Sequence, residues 1–337
     1  MNFYCIGVSL NSASLNEREE IYRQRERIEK FWLREGAHSA ILATCNRFEI
    51  YGVDSDSRAQ ELCACFSRAF PLFMKGYFLH GCAPVFKHAL TVASGLDSQL
   101  KGEAQILKQV SVWMAHDDFP GVLGDLWRQA YQAARLIRRR AGLDTIEHNI
   151  ATLVFADQAA YRPQRAGYTV AVIGTGKLAE LLALHKPPEV SLIFVSRKHQ
   201  RRAYDLARSC NGTVVNFSER SALFGAIDML VAASASPHFI IRKEMFAAMA
   251  FRRTPLFLYD LSLPRQIEPE VGCVKNIILK NLDDLSPLFE RSNVDVQPKL
   301  TYAKVLIEAV ARTHQRYFYA EHFKIRDSRE PACLAAS

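Results

Sequence analysis

A chain of 337 residues with 49% hydrophobic and 23% charged side chains has the composition of a globular protein, long enough for two domains with separate cores. The net charge of +8 gathers in two runs, Arg135, Arg138, Arg139, Arg140 and Arg197, Lys198, Arg201, Arg202, which read as solvated helix faces or as surfaces for a polyanion such as RNA. The eight cysteines form no CxxC pair or regular framework, which argues against a disulfide scaffold or a zinc site. A reduced, metal-free protein is expected. No apolar run approaches a membrane span, and MNFYCIGVSLNS lacks the basic start and long apolar core of a signal peptide, so the expected location is the cytoplasm.

In chain order, NFYCIGVSL reads as a strand, and Ser14-Leu15-Asn16-Glu17 has the spacing of a capping box. The helix it opens is expected to run to about Glu35, with Gly36 as its stop. Two strands, Ser39–Thr44 and Phe48–Val53, follow, joined through Cys45-Asn46-Arg47, and a helix is expected from Ser57 to about Phe70. Cys63 and Cys65 fall on that helix as packing residues. These elements suggest a small open sheet with helices on one face. Residues from about Pro84 to Arg140 read as helical, with breaks near Gly95, Gly102 and Pro120-Gly121. A further helix from Asn149 ends near Tyr161, before a hinge at Pro163-Gln164-Arg165-Ala166-Gly167.

From Tyr168 the character changes. TVAVIG, SLIFVS, TVVNF, DMLVAAS and PLFLYDLS alternate with helical segments, the pattern of a wound parallel sheet. Strand, then Gly174-Thr175-Gly176-Lys177-Leu178-Ala179, then helix, is the G-x-G-x-x-G/A dinucleotide fingerprint with alanine in third place. Its glycines allow a tight turn and a close approach of pyrophosphate to a helix N-terminus. The next strand ends in Ser196-Arg197-Lys198, without the carboxylate an NAD ribose would need. Arg and Lys there suit a 2′-phosphate, so NADP(H) is the expected cofactor. The expected fold class is therefore α/β. An N-terminal α+β domain (1–148) with a small open sheet precedes a Rossmann-like domain (149–290), a C-terminal connecting helix (291–325) and a disordered tail (326–337).

Cys45 has two readings. A thiolate beside Arg47 could attack an acyl group and form a thioester for reduction by NADPH; alternatively Cys45 is a small buried hydrophobe at a strand end. ATCNRFEIY resembles the cysteine motif of the glutamyl-tRNA reductase family. VASGLDSQLKGEAQILKQV (92–110) resembles that family's second signature, and LYDLSLPRQIEPEV (258–271) resembles a late strand of its NADPH domain. These blocks, the nucleotide fingerprint and the SASP run at 234–237 stand in the family's order across roughly residues 1–290.

The resemblance implies NADPH-dependent reduction of L-glutamyl-tRNA to glutamate-1-semialdehyde with release of tRNA, the first step of tetrapyrrole synthesis from glutamate. It casts Cys45 as the nucleophile and places Thr44, Asn46, Arg47, Ser98, Glu103, Ala104, Gln105 and Gln109 around the substrate. Arg47 suits a carboxylate clamp. By itself His88 reads first as a histidine that caps or packs on a helix; it falls where the family has a histidine important for activity, and the resemblance favours a role in proton transfer. The aminomutase that consumes the aldehyde is a further partner implied. The family's homodimer is built with a C-terminal helical domain, whereas only a short tail follows the helix expected at 296–322. Lys108 stands where the family commonly has glycine, and 137–151 follows its pattern loosely. Two rival readings are an NADP-dependent dehydrogenase of a small molecule, with Cys45 structural, and a non-catalytic tRNA-binding paralogue.

Overall fold

The computed structural model of the chain describes residues 2–35, 39–115, 119, 121–161, 167–234, 236–247 and 254–322, with side chains as far as His314. Gly36, Pro120, the Pro163–Ala166 part of the hinge, Ala235 and the terminal tail lie outside the described residues. The first elements are β1 (Asn2–Ser9), α1 (Leu15–Arg23), α2 (Arg25–Arg34), β2 (Ser39–Ala43), β3 (Arg47–Asp54), α3 (Asp56–Ala69) and β4 (Tyr77–His80). Four helices follow: α4 (Cys82–Ala93), α5 (Gln105–Met114), α6 (Gly121–Arg140) and α7 (Ile150–Tyr161). Next come β5 (Tyr168–Ile173), α8 (Lys177–Leu184), β6 (Val190–Ser196), α9 (Gln200–Ser209), β7 (Thr213–Asn216), β8 (Met229–Ala232), β9 (Leu256–Asp260) and β10 (Ile277–Asn281). The helices α10 (Ser286–Asp295) and α11 (Gln297–His322) close the series.

Two compact units divide the chain. The first comprises Met1–Ser14, Gln24–Ile146 and Asp295–Ser337; the second comprises Leu15–Arg23 and Glu147–Val294.

The first unit is built on an antiparallel sheet of order β2-β3-β1-β4. Alternation along β1 sends Phe3 and Cys5 into a core shared with α4, α5, α6 and α11. Tyr4 points the other way and stacks on Trp32 of α2, with ring centroids 6.1 Å apart. Trp32 in turn packs on Phe66 of α3 at 5.2 Å. Helices thus cover both faces of the sheet, where one covered face was expected. The physical reason is the aromatic content of α2 and α3: Phe31, Trp32 and Phe66 need a partner surface of their own. The start of α3 is fixed by Ser55, whose hydroxyl accepts the Arg58 N–H at 3.3 Å.

The single helix expected over 14–35 is two. Its first half, α1, belongs to the second unit, where its charged side chains are satisfied. Arg18 bonds Asp283 at 2.6 Å, and the buried Glu19 accepts from Arg265 Nε at 2.9 Å and Nη2 at 2.8 Å. The second half, α2, buries Ile28 and Trp32 in the first unit. The division at Gln24 follows this change of partner.

The second unit holds a fully parallel sheet of order β10-β9-β8-β5-β6-β7. Its central strands β8 and β9 are buried along their whole length, as a sheet covered on both faces requires. Strand order reverses between β5 and β8, which opens a crevice beyond their carboxyl ends. The doubly wound architecture agrees with the sequence reading. Among the described residues no helix is long and apolar enough to cross a membrane.

Candidate active site

The β2–β3 connection carries the cysteine. The Thr44 N–H donates to the Arg47 carbonyl at 2.8 Å, and the Asn46 N–H donates to Thr44 Oγ1 at 3.2 Å. The Asn46 carbonyl accepts the Leu10 N–H at 2.8 Å. Thr44, Asn46 and Arg47 are all buried; only Cys45 is partly exposed. A turn pinned on three sides therefore presents a single thiol.

Arg47, Glu49 and Tyr51 alternate along β3 and so share one face of the strand. That face is buried, and a polar cluster fills it. Arg47 Nη1 lies 2.9 Å from Asp97 Oδ2 and 3.4 Å from Glu49 Oε1, while Nη2 donates to the Asp97 carbonyl at 2.5 Å. Arg47 Nε is buried without a partner among the described residues. Both terminal nitrogens of Arg47 are engaged by the protein, because strand alternation turns the side chain inward beside Glu49.

Glu49 is the hub of this cluster. Its carboxylate accepts from Tyr51 Oη at 2.7 Å and from Tyr77 Oη, and lies 2.9 Å from His88 Nε2. Burial alone would raise its pKa. His88, then Arg47 and the hydrogen bonds from His88 and Tyr77, outweigh burial and hold it down at about 2. Burial, reinforced by Glu49, pushes the Tyr51 and Tyr77 phenols well above their ordinary range, so both stay protonated donors.

The second signature forms the end of α4, the loop 94–104 and the start of α5. Gly95 ends α4 with φ +79°, and a Cβ there would fall 2.8 Å from the Glu103 carbonyl. Beneath the loop lies Arg138, only 1% exposed. Its Nη1 donates to the carbonyls of Ser94 and Glu103, both at 3.0 Å, and its Nη2 to that of Gly102 at 3.1 Å. The basic run on α6 is thereby split: Arg138 is a buried clamp, and Arg135, Arg139 and Arg140 are exposed. Ser98 is buried in the loop, next to the Asp97 that holds Arg47. Burial raises the Glu103 pKa to about 7, against the Ser98 hydroxyl and the charges of Arg47 and Arg138. Ala104 is exposed, and Gln105 and Gln109 stand partly exposed one turn apart on α5.

His88, Arg47 and the Ser98–Glu103 loop are thus joined through two residues that the sequence reading did not single out, Glu49 and Asp97. Tyr77 and Arg138 were missed as well. The alternation Arg47-x-Glu49-x-Tyr51 in an apolar strand was a usable signal for a buried polar face. For Tyr77 and Arg138 nothing local was available, since their partners lie in distant segments.

In the second unit, Gly174 follows β5 with φ +117°, and a Cβ there would fall 2.4 Å from the Ala233 carbonyl oxygen after β8. Thr175 is buried, and Gly176 caps α8, whose first residues are Lys177, Leu178 and the buried Ala179. The Gly174 N–H donates to the Val195 carbonyl at 3.0 Å, which sets this turn beside the end of β6. There Ser196 is buried, and Arg197 and Lys198 are exposed, with no carboxylate among them. Lys177 pairs with Glu180 at 2.8 Å, and Arg202 pairs with the same carboxylate. Arg220 lies in the field of Arg197; burial first and that like charge second lower its pKa. Arg220 is held by the carbonyls of Ile240 and Phe217, at 3.0 and 2.9 Å. Ser234, the first residue of the SASP run, follows β8. Ser234 Oγ donates to Gln266 Oε1 at 2.7 Å, and Gln266 Nε2 donates to the Ser234 carbonyl at 2.6 Å.

The family model "Glutamyl-tRNAGlu reductase, N-terminal domain" matches residues 6–142, and "Shikimate / quinate 5-dehydrogenase" matches residues 158–288. Glutamyl-tRNA reductases from two strains of Thermus thermophilus are 31% and 32% identical to the chain; each alignment covers 96% of the chain and 82% of the relative. The glutamyl-tRNA reductase of Heliobacterium mobile is 28% identical over 91% of the chain and 74% of its own length. Among solved structures, the glutamyl-tRNA reductase from Methanopyrus kandleri superposes with a TM-score of 0.48 at 23% identity, covering 97% of this chain and 82% of that one.

Proposed function

The chain belongs to the glutamyl-tRNA reductase family, and from that premise we propose that it reduces L-glutamyl-tRNA to glutamate-1-semialdehyde through a Cys45 thioester. The reaction is the first step of tetrapyrrole synthesis from glutamate. The observation that carries this reading is the Cys45 turn, in which a single, partly exposed thiol stands among buried neighbours.

In this reading the first unit binds the glutamyl end of the tRNA and the second binds NADPH. The Cys45 thiolate attacks the ester carbonyl carbon; the carbon–sulfur bond forms, the bond to the ribose oxygen breaks, and that oxygen takes a proton. An aminoacyl ester is already activated, so no ATP is consumed. Thr44, Asn46, Ser98, Glu103, Ala104, Gln105 and Gln109 line the substrate. Its carboxylate would reach Arg47 by exchange with Asp97. His88 moves the proton.

The second unit fits a phosphorylated dinucleotide: the Gly174 turn has no room for a side chain, and cations without a carboxylate end β6. Gly174, Thr175, Gly176, Lys177, Leu178 and Ala179 would hold the pyrophosphate end, and Ser196, Arg197 and Lys198 the 2′-phosphate. NADPH, when bound, supplies the hydride that takes the thioester to the aldehyde. The exposed Arg135, Arg139 and Arg140 offer a surface for the tRNA backbone. An aminomutase that takes up the aldehyde completes the proposal.

The test is a single turnover with charged glutamyl-tRNA and NADPH, wild type beside Cys45→Ser. Wild type should yield aldehyde, and without NADPH should release free glutamate by hydrolysis of the thioester. Full reductase activity in Cys45→Ser would refute the covalent route. Turnover independent of tRNA would point to a small-molecule dehydrogenase instead.

A further inference from the structure

The role given to His88 leaves open which of its ring nitrogens works, and the buried cluster around Glu49 answers that. His88 Nε2 lies 2.9 Å from Glu49 Oε1. An ionised carboxylate has only lone pairs to offer, so the hydrogen in that contact belongs to Nε2. Tyr77 Oη is also 3.4 Å from Nε2, but its single hydrogen is directed to Glu49. It cannot supply Nε2 as well.

The ring is fixed on its other sides too. Tyr51 stacks on it with centroids 6.3 Å apart, and Tyr77 meets it nearly edge-on at 5.2 Å. Glu49 is fully buried, whereas the His88 side chain is 16% exposed. A substrate therefore cannot reach the proton on Nε2. Nδ1 has no hydrogen-bond partner among the described residues and is not among the fully buried polar atoms. The charged and titratable groups facing this pair are Arg47 and Tyr51 from β3, Tyr77 from β4 and Cys5 from β1, with Asp97 behind Arg47.

We propose that Glu49 is a positioning residue that fixes His88 with its hydrogen on Nε2 and so confines proton exchange with the substrate to Nδ1. The proposal rests on the reading of His88 as the proton carrier. Ionisation of Glu49 across the neutral range keeps the assignment constant through the working pH.

The tautomer can be read without any activity. In ¹⁵N-labelled wild type, long-range ¹⁵N–¹H spectra should show the neutral His88 ring carrying hydrogen on Nε2. Glu49→Gln places an amide that can donate to Nε2, so the Nδ1–H form should appear. Where a histidine in a catalytic triad loses its orienting carboxylate, kcat falls by about 10⁴. Here a fall of about 10² or more in kcat is expected, with KM for charged tRNA changed by no more than about threefold. Tyr77→Phe leaves the carboxylate in place and should keep Nε2–H with a milder loss, which guards against simple unfolding of Glu49→Gln. An Nδ1–H ring in wild type, or a tautomer unmoved in Glu49→Gln, overturns the proposal. His88→Asn tests the underlying reading separately: full turnover in that variant removes His88 from the reaction, whatever the spectra show.

Discussion

Arg138→Met should cost this protein about 3 kcal/mol of unfolding free energy and loosen the loop that carries Ser98 and Glu103. The guanidinium holds three carbonyls of that loop, those of Ser94, Gly102 and Glu103, at 3.0–3.1 Å. Methionine keeps the apolar length of the side chain and removes every donor. Leaving a buried acceptor unpaired costs about 1–3 kcal/mol. Taking about 1.5 kcal/mol for each of the two buried carbonyl contacts and about 1 kcal/mol for the partly buried one gives a gross loss near 4 kcal/mol. Relief of the guanidinium's own desolvation, the main cause of its lowered pKa, returns about 1 kcal/mol. The bond to Asp144 adds little, because that carboxylate is 55% exposed and rehydrates. Urea unfolding of Arg138→Met beside Arg139→Met measures the difference. The exposed Arg139 should be neutral within about 0.5 kcal/mol. KM for charged tRNA should rise in Arg138→Met as the loop loosens. Equal stability of the two variants would show that Arg138 does not clamp the loop.

Gly174→Ala puts a Cβ 2.4 Å from the Ala233 carbonyl at φ +117°, and should raise the NADPH dissociation constant about tenfold or more in a fluorescence titration. Arg197→Glu should lower the ratio of kcat/KM for NADPH to that for NADH by about tenfold or more; an unchanged ratio would move the 2′-phosphate contact elsewhere. Glu103 has a pKa raised in the folded protein to about 7, so its contribution to stability is full below its unfolded value and is lost as pH rises through about 7. Between about pH 5 and 8, Glu103→Gln should therefore lose less unfolding free energy than wild type. Asp260, also raised by burial, to about 6, is present in both proteins and leaves the difference to Glu103.

Much of the second unit was legible because its information is local. Period and run length marked the parallel strands, and the glycine fingerprint lies within six residues whose conformation it requires. Cys45 was legible as a turn residue for the same reason. The first unit resisted where its contacts are long-range. Nothing near Tyr77 in sequence says that its hydroxyl meets Glu49, 28 residues away, or that Arg138 turns under a loop 35–44 residues earlier. A cluster of arginines at the end of a helix looks solvated whether or not one of them faces inward. Arg47 hid its protein partners in a related way: its chemistry suits a substrate carboxylate, and the alternation of its strand also directs it to the carboxylates of Glu49 and Asp97. The split of α1 from α2 has no marker in the helical pattern, because both halves are amphipathic and only the surfaces they bury differ.

That split has a consequence for how the chain is made. Glu19 is translated early and ends fully buried against Arg265, which follows 246 residues later. Arg18 waits still longer for Asp283. The first unit is also unfinished until α11 arrives, since Leu300, Ala303 and Ile307 belong to the same core as Phe3 and Cys5. Neither unit is therefore a contiguous stretch of gene, and no single cut yields two complete pieces. During synthesis both must be held open from one end to nearly the other, with Glu19 and Phe3 as early residues awaiting late partners.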